Sequence, residues 1–581
     1  MLSDKMETPK KRIAILGGGP AGLFMYKRLT EAGDTSLEIE IFERKKQLGA
    51  GMPYSREGSS EEHITNVSGN EIPDIVMPVS EWITLQKPIA QSFHITPQNF
   101  NDYKVLPRLL FGKYLEDQFK LLLKHASDAG ISTTVHLGAE VVDIEDHPDE
   151  KKVTVKLKDG TSFDFDRVII STGHNWPKKK EGTIKNYYDS PYPPSKLEAL
   201  VNIPVAVRGS SLTAVDAIRT LARNNGSFAD SDNGIPHYIP NPGTGDFRMV
   251  MHSRSGLLPA VRFHLEDSHL KNDTLLTDEE ITAHRAGNDG FLSLDYLFEK
   301  DFKDQFREKD PAFYERIRNM DIREFVDAMM ELRERLDPFV LLKAEYAEAE
   351  KSIKRMESVY WKEMLAVLSF AMNYPAKYFS AEDMLTLKET LSPLISIVIA
   401  FIPQTSCREL LALHNAGKLE IVPVGGDSSV EALDEGGIIY HYTDEEGKEV
   451  AVPYPAFVDS IGQPHLMYDD FPFQSLIKSK TIAPARLRFQ NEKEGKKAFE
   501  KGDGSVEKDS DGSYFLKVPG IGINDDFQVL DQYGAYNERI YIMAVPYIGG
   551  FNPDYSGLDF CEAASEKIAA SLARSMGINV S

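Results

Sequence analysis

Cysteine is scarce in this chain, which has only Cys407 and Cys561 in 581 residues. The two lie far apart and in no Cys-x-x-Cys pair, so the sequence carries neither a disulfide framework nor a redox-active dithiol. The N-terminal residues MLSDKMETPKKR are charged and contain no apolar stretch of the kind that export signals need. Both observations predict a soluble protein of the reducing cytoplasm.

Basic charge and long apolar runs are also in short supply. The 66 Lys and Arg residues against 89 Asp and Glu residues give a net charge of -23, which opposes binding to nucleic acid or anionic lipid. The longest apolar run, 391–402, is interrupted by serine and proline and is too short for a bilayer of about 30 Å, so we interpret it as a buried helix. We expect a small-molecule substrate, no nucleic-acid or membrane partner and no metal site, while the oligomeric state stays open.

The first glycine-rich turn belongs to a predicted strand–turn–helix–strand unit. Residues 12–16 form a short apolar strand, residues 20–32 have helical periodicity, and residues 37–42 alternate before Glu43 and Arg44. This order predicts one βαβ unit at the start of an α/β domain.

The three glycines of that turn have separate physical tasks. Gly17 permits a tight bend, Gly19 lets backbone approach a pyrophosphate, and Gly22 lets the helix pack on the strand. Glu43 ends the next strand, where a carboxylate accepts hydrogen bonds from ribose hydroxyls. The unit therefore predicts a site for FAD or NAD, and the alternative is a glycine-rich turn in an ordinary α/β sheet.

Two further loops favour FAD. The segment Gly49 to Ser55 contains a second glycine-rich loop soon after Glu43, and such a loop can run under an isoalloxazine ring. The segment Ser171-Thr172-Gly173-His174 closes a strand where flavoproteins with two dinucleotide folds return to the cofactor. The alternatives are a loop that needs positive φ and, for His174, an ordinary loop residue.

These motifs together resemble those of the FAD-NAD(P)-binding flavoproteins, related to flavin-dependent N-hydroxylating and urate-hydroxylating monooxygenases. As they stand here they are ILGGGPAGL, FERKKQLGAGMPYS, HITNVS, LPRLLFGKYL, STGH, VAVRGSSLTAVDAI and HSRSGLLP, and the resemblance covers most of the chain. It implies that Arg108 lies near the FAD phosphates and that Asn66 is a catalytic residue beside the flavin, the alternative for Asn66 being a turn or capping amide.

The fold expected on this basis is an α/β flavoprotein with two dinucleotide-binding domains, a Rossmann-like FAD domain of three-layer architecture, and a helical insertion. Residues 1–203 and 456–581 are predicted to form the FAD domain, 204–290 and 415–455 an NAD(P)-binding-like domain, and 291–414 the insertion. The expected cofactor-binding residues are Gly17, Gly19, Pro20, Ala21, Gly22, Glu43, Arg44, Gly51, Met52, Asn66, Arg108, Val142, Thr172, Gly173, Gly209, Ser210, Ser211, Arg254, Gly557 and Leu558.

The second nucleotide unit departs from the full glycine fingerprint. It keeps Gly209 and Ser210, but Ser211 and Ala214 stand where the second and third glycines would be. A strand over 247–252 leads to Arg254, whose guanidinium could bind a 2′-phosphate and favour NADPH over NADH. The alternative is a decayed nucleotide fold that only packs against the FAD domain.

The C-terminal segment lacks the Gly-Asp pair that many such flavoproteins place before their last helix. Gly557 and the helix beginning at Leu558 could still direct backbone N–H groups at the flavin.

The leading hypothesis is an FAD oxidoreductase reduced by NADPH or NADH, with monooxygenase action on a small molecule as its extension. The rivals are a flavin dehydrogenase or reductase without productive oxygen use and a non-catalytic binding protein.

Overall fold

The computed structural model describes residues 10–173, 176–232, 234–265, 275–373, 375–463, 466–553 and 557–578. Its strands are β1 Lys11–Leu16, β2 Leu37–Glu43, β3 Ile64–Ser68, β4 Val105–Pro107, β5 Ser132–Leu137, β6 Val141–His147, β7 Lys152–Leu157, β8 Ser162–Phe165, β9 Arg167–Ile170, β10 Tyr187–Tyr188, β11 Pro204–Arg208, β12 Gly226–Ala229, β13 His237–Pro240, β14 Arg248–Ser253, β15 Leu419–Pro423, β16 Ser429–Ala432, β17 Ile438–Thr443, β18 Glu449–Tyr454, β19 Ala456–Asp459, β20 Pro484–Arg488, β21 Val506–Lys508, β22 Tyr514–Ile521, β23 Gln528–Leu530 and β24 Tyr536–Ile542.

The α-helices are distributed unevenly along the chain, with a dense helical region in its middle. They are α1 Pro20–Glu31, α2 Val79–Leu85, α3 Lys87–Ser92, α4 Arg108–Asp128, α5 Leu212–Asn225, α6 Asp278–Ala286, α7 Leu294–Asp301, α8 Phe306–Lys309, α9 Pro311–Ile317, α10 Ile322–Arg335, α11 Pro338–Arg355, α12 Tyr360–Met372, α13 Ala381–Thr386, α14 Ser392–Val398, α15 Gln404–Asn415, α16 Gln474–Lys478, α17 Glu492–Glu500 and α18 Leu558–Met576.

The first large sheet has the strand order β23-β24-β9-β1-β2-β5. Strands β1, β2, β5, β9 and β24 are parallel, while β23 pairs antiparallel with β24 at the edge. Buried Ile, Val, Leu and Phe side chains fill its central strands, as expected for a sheet covered on both faces. The C-terminal strand β24 thus completes a sheet that the N-terminal strands begin.

A continuous strand over 135–146 is predicted from the sequence, and this prediction is wrong. The chain instead forms β5 in the parallel sheet and β6 in an antiparallel β6-β7-β8 meander. Gly138, at φ +72°, turns the chain between them. The amides of Gly138 and Ala139 donate to the carbonyls of Lys45 and Glu43, so the turn is fixed to the end of β2.

The second large sheet has the order β10-β19-β11-β14-β15, and all of its pairings are parallel. Helix α5 follows β11 directly, which repeats the strand–turn–helix arrangement of β1 and α1. These two parallel sheets, the meanders and the helical region confirm the predicted α/β class with a helical insertion.

Helices α6 to α10 and α12 to α14 pack through an apolar core that is continuous with that of the first sheet, whereas α11 contributes Phe339, Leu342 and Ala349 to the core of the second sheet. Helix α15 contacts α5 instead, because its residue Glu409 binds Arg219 and Arg223 on that helix. The predicted buried helix over 391–402 is found only as α14, preceded by a π-helical turn at Leu387–Leu391. The bounds of the three domains stay a prediction.

The polar segment 492–513 is predicted as a loop or hairpin but contains helix α17 and strand β21. The helix begins because the Asn491 side chain accepts a hydrogen bond from the Lys493 amide. Gly495 then lets the helix approach Tyr514 and Phe489, since a Cβ at that position would lie 2.6 Å and 2.9 Å from their side chains.

The helices offer no candidate for a transmembrane span. Within the described ranges, none combines the length and the apolar character that crossing a bilayer requires.

Candidate functional site

The turn between β1 and α1 is held in the conformation that its glycines predict. Gly17 has φ +111°, and a Cβ there would lie 2.6 Å from the Ser171 carbonyl oxygen. A Cβ at Gly22 would overlap the carbonyl oxygen of Gly17. No side chain caps the N-terminus of α1, which begins with Pro20 after Gly19. The first amides of the helix are therefore available to an anion.

The second glycine-rich loop lies directly against this turn. The Gly49 amide donates to the Gly18 carbonyl at 2.7 Å, and a Cβ on Gly51 would lie 2.9 Å from Cδ of Pro20. Gly51 has φ +58°, so its conformation also favours glycine. The two loops predicted to contact one cofactor are thus neighbours.

Glu43 lies at the end of β2 and is 7 % exposed. Its carboxylate accepts hydrogen bonds from the amides of Gly18 at 2.8 Å and Lys45 at 2.9 Å. These two bonds fix the carboxylate beside the glycine turn. A carboxylate oxygen has two lone pairs, so each oxygen can still accept a hydroxyl hydrogen bond from a ribose.

The end of β9 closes the same site from the other side. The Ser171 hydroxyl donates to the Leu16 and Gly17 carbonyls, both at 3.0 Å, which fixes the turn. The hydroxyl oxygen of Thr172 is buried and has no hydrogen-bond partner among the residues that the structure describes. A buried hydroxyl without a partner costs free energy, so a ligand that bonds to it is favoured. Gly173 is exposed, and His174 lies outside the described residues.

Asn66 lies in β3 and is half-buried. Its backbone carbonyl accepts a hydrogen bond from the Arg262 guanidinium, which also binds Ser68 and Glu71. Arg262 is 4 % exposed and fixes the backbone at Asn66. The structure therefore shows how the Asn66 main chain is held, and its catalytic role stays a prediction.

The Arg108 side chain takes part in a buried polar network that joins α4 and β3 to α5. It donates to the Ile64 carbonyl at 3.1 Å and to Asp216 on α5 at 2.5 Å. The Tyr192 hydroxyl also donates to Asp216, at 2.8 Å. Burial would raise the pKa of Asp216, but Arg108, His63 and the Tyr192 hydrogen bond together outweigh that effect, and the pKa lies below its usual value. The proximity of Arg108 to a phosphate stays a prediction.

The C-terminal helix begins beside the second glycine loop. Burial raises the pKa of Tyr54 to about 12, and Arg108, Cys561 and Asp559 are close enough to act on it. Gly557, at φ +133°, is the residue before the helix, and Leu558 is buried. The start of α18 is thus brought to the region of the loop that contains Tyr54.

The turn of the second strand–turn–helix unit also requires a glycine, and the hydroxyl of Ser210 in it already has a hydrogen-bond partner. Gly209 has φ +102°, and a Cβ on it would lie 2.9 Å from the Ser460 carbonyl oxygen. The Ser210 hydroxyl donates to the Leu257 carbonyl at 2.7 Å, while Ser211 precedes α5 without capping it. Exposed Arg254 follows β14, the parallel neighbour of β11. Its guanidinium therefore belongs to the sheet edge that carries Gly209.

The remaining predicted residues lie around the first turn at different depths. Ala21 and Met52 are half-buried, whereas Arg44 is exposed beside the buried Glu43. Val142 lies on β6, and 42 % of its surface is exposed. The contact of each of these residues with a cofactor stays a prediction.

The residues present fit FAD. The uncapped start of α1 suits a pyrophosphate, the fixed Glu43 carboxylate suits a ribose, and the unpartnered Thr172 hydroxyl offers a further polar contact. Gly17 and Gly22 leave room that side chains would fill.

Three residues of this polar network were not among the predicted site residues, although His63 and Asp216 lie within the motifs HITNVS and VAVRGSSLTAVDAI. Nε2 of buried His63 lies 3.2 Å from the carbonyl oxygen of buried Asp216, and the hydroxyl of half-buried Tyr192 donates to the Asp216 carboxylate. An acidic residue at position 216 within the apolar stretch of α5 is the signal that could have indicated a buried carboxylate.

Comparison with protein families gives two matches within the chain. Residues 14–175 match the family described as FAD-NAD(P)-binding, and residues 277–399 match a YdhS-like middle domain. YdhS of Escherichia coli K12 is 27% identical over 573 residues, which cover 97% of this chain and 98% of that protein. The second family thus coincides with the helical region.

Two more distant similarities involve monooxygenases. The thiol-specific monooxygenase of Saccharomyces cerevisiae is 25% identical over 166 residues, which are 28% of this chain and 34% of that enzyme. The reduced form of ornithine hydroxylase PvdA from Pseudomonas aeruginosa is 10% identical, with a TM-score of 0.47, covering 98% of this chain and 99% of that one.

The match over residues 14–175 confirms the predicted family resemblance and the predicted cofactor classes, FAD and NAD(P)H. Residues 14–175, which contain the Gly17 turn, Glu43 and Thr172, are therefore similar to the FAD-NAD(P)-binding family.

Proposed function

We propose that this protein is an FAD-dependent monooxygenase that uses NAD(P)H and acts on a small molecule. The observation that carries the proposal is the uncapped helix α1 behind the Gly17 turn, with the Glu43 carboxylate bonded to the Gly18 amide at 2.8 Å. This arrangement suits the pyrophosphate and ribose of one dinucleotide. The similarity to a monooxygenase over 166 residues supports the oxygen chemistry.

The overall reaction balances with molecular oxygen as co-substrate. The nicotinamide gives a hydride, one proton comes from solvent, and the O–O bond breaks. One oxygen atom enters the substrate and the other leaves as water, so NAD(P)H and the substrate each supply two electrons. FAD, when bound, supplies the two-electron chemistry that connects these partners.

The chain's own residues hold and orient the cofactors in this proposal. Glu43 accepts hydrogen bonds from the ribose, the first amides of α1 face the pyrophosphate, and Thr172 donates to the cofactor. Asn66, on a backbone fixed by Arg262, would face the flavin. The part formed by residues 1–203 and 456–581 would bind FAD, 204–290 and 415–455 would bind NAD(P)H, and 291–414 would cover the substrate.

Arg254 is proposed as the residue that selects NADPH. It follows β14 at the sheet edge that carries the Gly209 turn, and its backbone is fixed because the Gly425 amide donates to its carbonyl at 3.1 Å. The side chain is exposed and can form a charge-assisted pair with a 2′-phosphate.

The experiment compares Arg254→Ser with Arg248→Ser, a matched control at the first residue of β14, at the other end of that strand. Loss of a charge-assisted contact costs about 1.5–3 kcal/mol, so we expect the KM for NADPH to rise about 10- to 100-fold in Arg254→Ser. The KM for NADH should change less than about twofold, because NADH lacks the phosphate. Equal losses with both nucleotides would contradict this role.

Oxygen use is tested by accounting for NADPH, O₂ and H₂O₂ in the same reaction. The proposal expects NADPH oxidation that needs oxygen, and H₂O₂ that decreases when the true substrate is supplied. Oxidation that proceeds equally without oxygen, with an organic acceptor present, would favour a dehydrogenase or reductase.

A further inference from the structure

A cavity of about 190 Å³ lies between the helical region and the C-terminal helix. It is formed by the segment before α6, helices α6, α7 and α12, and one side of α18. Its apolar lining includes Leu276, Ile281, Leu297, Phe370, Phe527 and Phe560. An engineered apolar cavity of about 150 Å³ accommodates benzene, so this one has room for a molecule with a single small ring.

One carboxylate interrupts the apolar wall. Asp301, the last residue of α7, is 2 % exposed. Its Oδ1 accepts a hydrogen bond from the Leu276 amide at 2.9 Å. Its Oδ2 accepts no hydrogen bond from any residue that the structure describes. Asp301 is a buried residue of the cavity lining, so a donor on a ligand in the cavity would complete the hydrogen bonds of its carboxylate.

The charges around Asp301 come from two elements. Glu280, on α6, repels it, and Asp278 on the same helix lines the cavity. Lys567, on α18, lines the opposite side and acts electrostatically on Asp525 and Lys377. Burial raises the pKa of Asp301 to about 7, the Leu276 hydrogen bond opposes that rise, and Glu280 adds to it. Asp301 therefore changes its charge near neutral pH.

We propose that this cavity binds a small molecule with an apolar body and one protonated amine, whose ammonium donates to Oδ2 of Asp301. The apolar walls recognise the body of the ligand, and the ammonium offsets the cost of the buried carboxylate. A neutral hydroxyl in the same place would satisfy the hydrogen bond but not the charge. The site goes beyond the proposed redox function, because binding requires neither NAD(P)H nor oxygen.

The binding test uses the matched probes 2-phenylethylamine and 2-phenylethanol, with calorimetry on the full chain as purified. The amine stays protonated between pH 6 and pH 8, while Asp301 passes from mostly protonated to mostly ionised. We expect the amine to bind about tenfold more tightly at pH 8 than at pH 6, and the alcohol to bind equally at both.

Asp301→Asn is the informative variant, because an amide keeps the size and the acceptor for the Leu276 amide. We expect this substitution to lower the affinity for the amine at pH 8 by about tenfold or more and to remove the pH dependence of amine binding. The affinity for the alcohol should stay unchanged. Asp278→Asn is the control at the cavity rim and should keep the amine preference. Ala563→Leu, which fills part of the cavity, should lower the affinity of the protein for both probes.

Three results would overturn the proposal: no binding of either probe, equal affinity for amine and alcohol at pH 8, or an unchanged amine affinity in Asp301→Asn. Loss of amine preference in Asp278→Asn alone would assign the site to that carboxylate and contradict the role of Asp301. Because calorimetry measures binding, a protein that fails to oxidise NADPH can still pass this test, and the reverse also holds.

Discussion

The Arg108 guanidinium donates a 2.5 Å hydrogen bond to Asp216, which connects the start of α4 to helix α5. The side chains of the two residues are 16% and 7% exposed. The pair therefore lies between the two nucleotide-type units, where each unit supplies one charge. Movement of one unit against the other would break this buried pair, so it stabilises their relative position.

Replacement of Asp216 by Ala should be strongly destabilising, because it leaves the Arg108 charge buried and unpaired. We expect a loss of about 3–5 kcal/mol in the free energy of unfolding, measured by urea titration. Tyr192→Phe removes one hydrogen bond to the same carboxylate and should cost only about 1–3 kcal/mol. If Asp216→Ala lowers the free energy of unfolding by no more than Tyr192→Phe does, the ion pair is not an important source of stability.

Replacement of Gly22 by Ala should remove FAD binding, because the added Cβ would overlap the Gly17 carbonyl oxygen and displace the turn. The measurement is the flavin content of the purified variant. Gly245→Ala is the control, since a Cβ there meets no atom within 4 Å and its backbone has no positive φ. Normal flavin content in Gly22→Ala would show that the turn tolerates the displacement.

Asp301 should make the ligand-free protein less stable as the pH rises from about 4 to about 7. Burial raises the pKa of its carboxyl to about 7 in the folded state, against 3.8 as its ordinary value, so the folded state holds the proton longer. Stability is therefore greatest below the unfolded pKa and is lost as the pH rises through the folded pKa. A shift of this size corresponds to about 4 kcal/mol at most.

Asp301→Asn should flatten this part of the stability profile, because an amide does not ionise. Thermal unfolding at several pH values between 4 and 8 compares the variant with the unchanged chain and with Asp278→Asn. Parallel profiles for all three proteins would mean that Asp301 does not titrate in this range.

Glu409 should be essential to the packing of α15 on α5. It binds Arg219 at 2.7 Å and Arg223 at 2.7 Å, and Arg219 is 2 % exposed. Burial would raise the pKa of Glu409, but the two guanidinium groups outweigh it and lower that pKa to about 2. We expect Glu409→Gln to lose about 3–5 kcal/mol of unfolding free energy, since it leaves buried positive charge without its counter-charge.

Glu431→Gln is the comparison for Glu409, because Glu431 pairs with His441 on the exposed surface. Glu431→Gln should lower the free energy of unfolding by no more than about 0.5 kcal/mol. Equal losses in the two variants would mean that burial adds little to the Glu409 interaction.

The parts of the fold with a local cause were predictable from the sequence. The glycine spacing at Gly17 and Gly22, with Glu43 at the end of the next strand, placed β1, α1 and β2 correctly. The sequence predicts a helix from Leu558 to Met576, which are the bounds of α18, because its apolar periodicity is long and begins after a glycine.

Features with a long-range cause were not predictable. The break after β5 depends on contacts of Gly138 and Ala139 with the end of β2, which periodicity does not contain. The cavity at Asp301 brings together residues such as Leu276, Phe370 and Phe560, which are distant in sequence. The sequence identifies Asp301 as an acidic residue, but only the fold shows that it is buried at the wall of a cavity.

The most direct test of the central claim is the visible absorption spectrum of the purified protein, followed during anaerobic addition of NADPH. The account predicts a yellow protein with about one FAD per chain, which NADPH bleaches. A colourless protein that does not take up added FAD would contradict the account, because the turn at Gly17 and the carboxylate of Glu43 would then hold no dinucleotide.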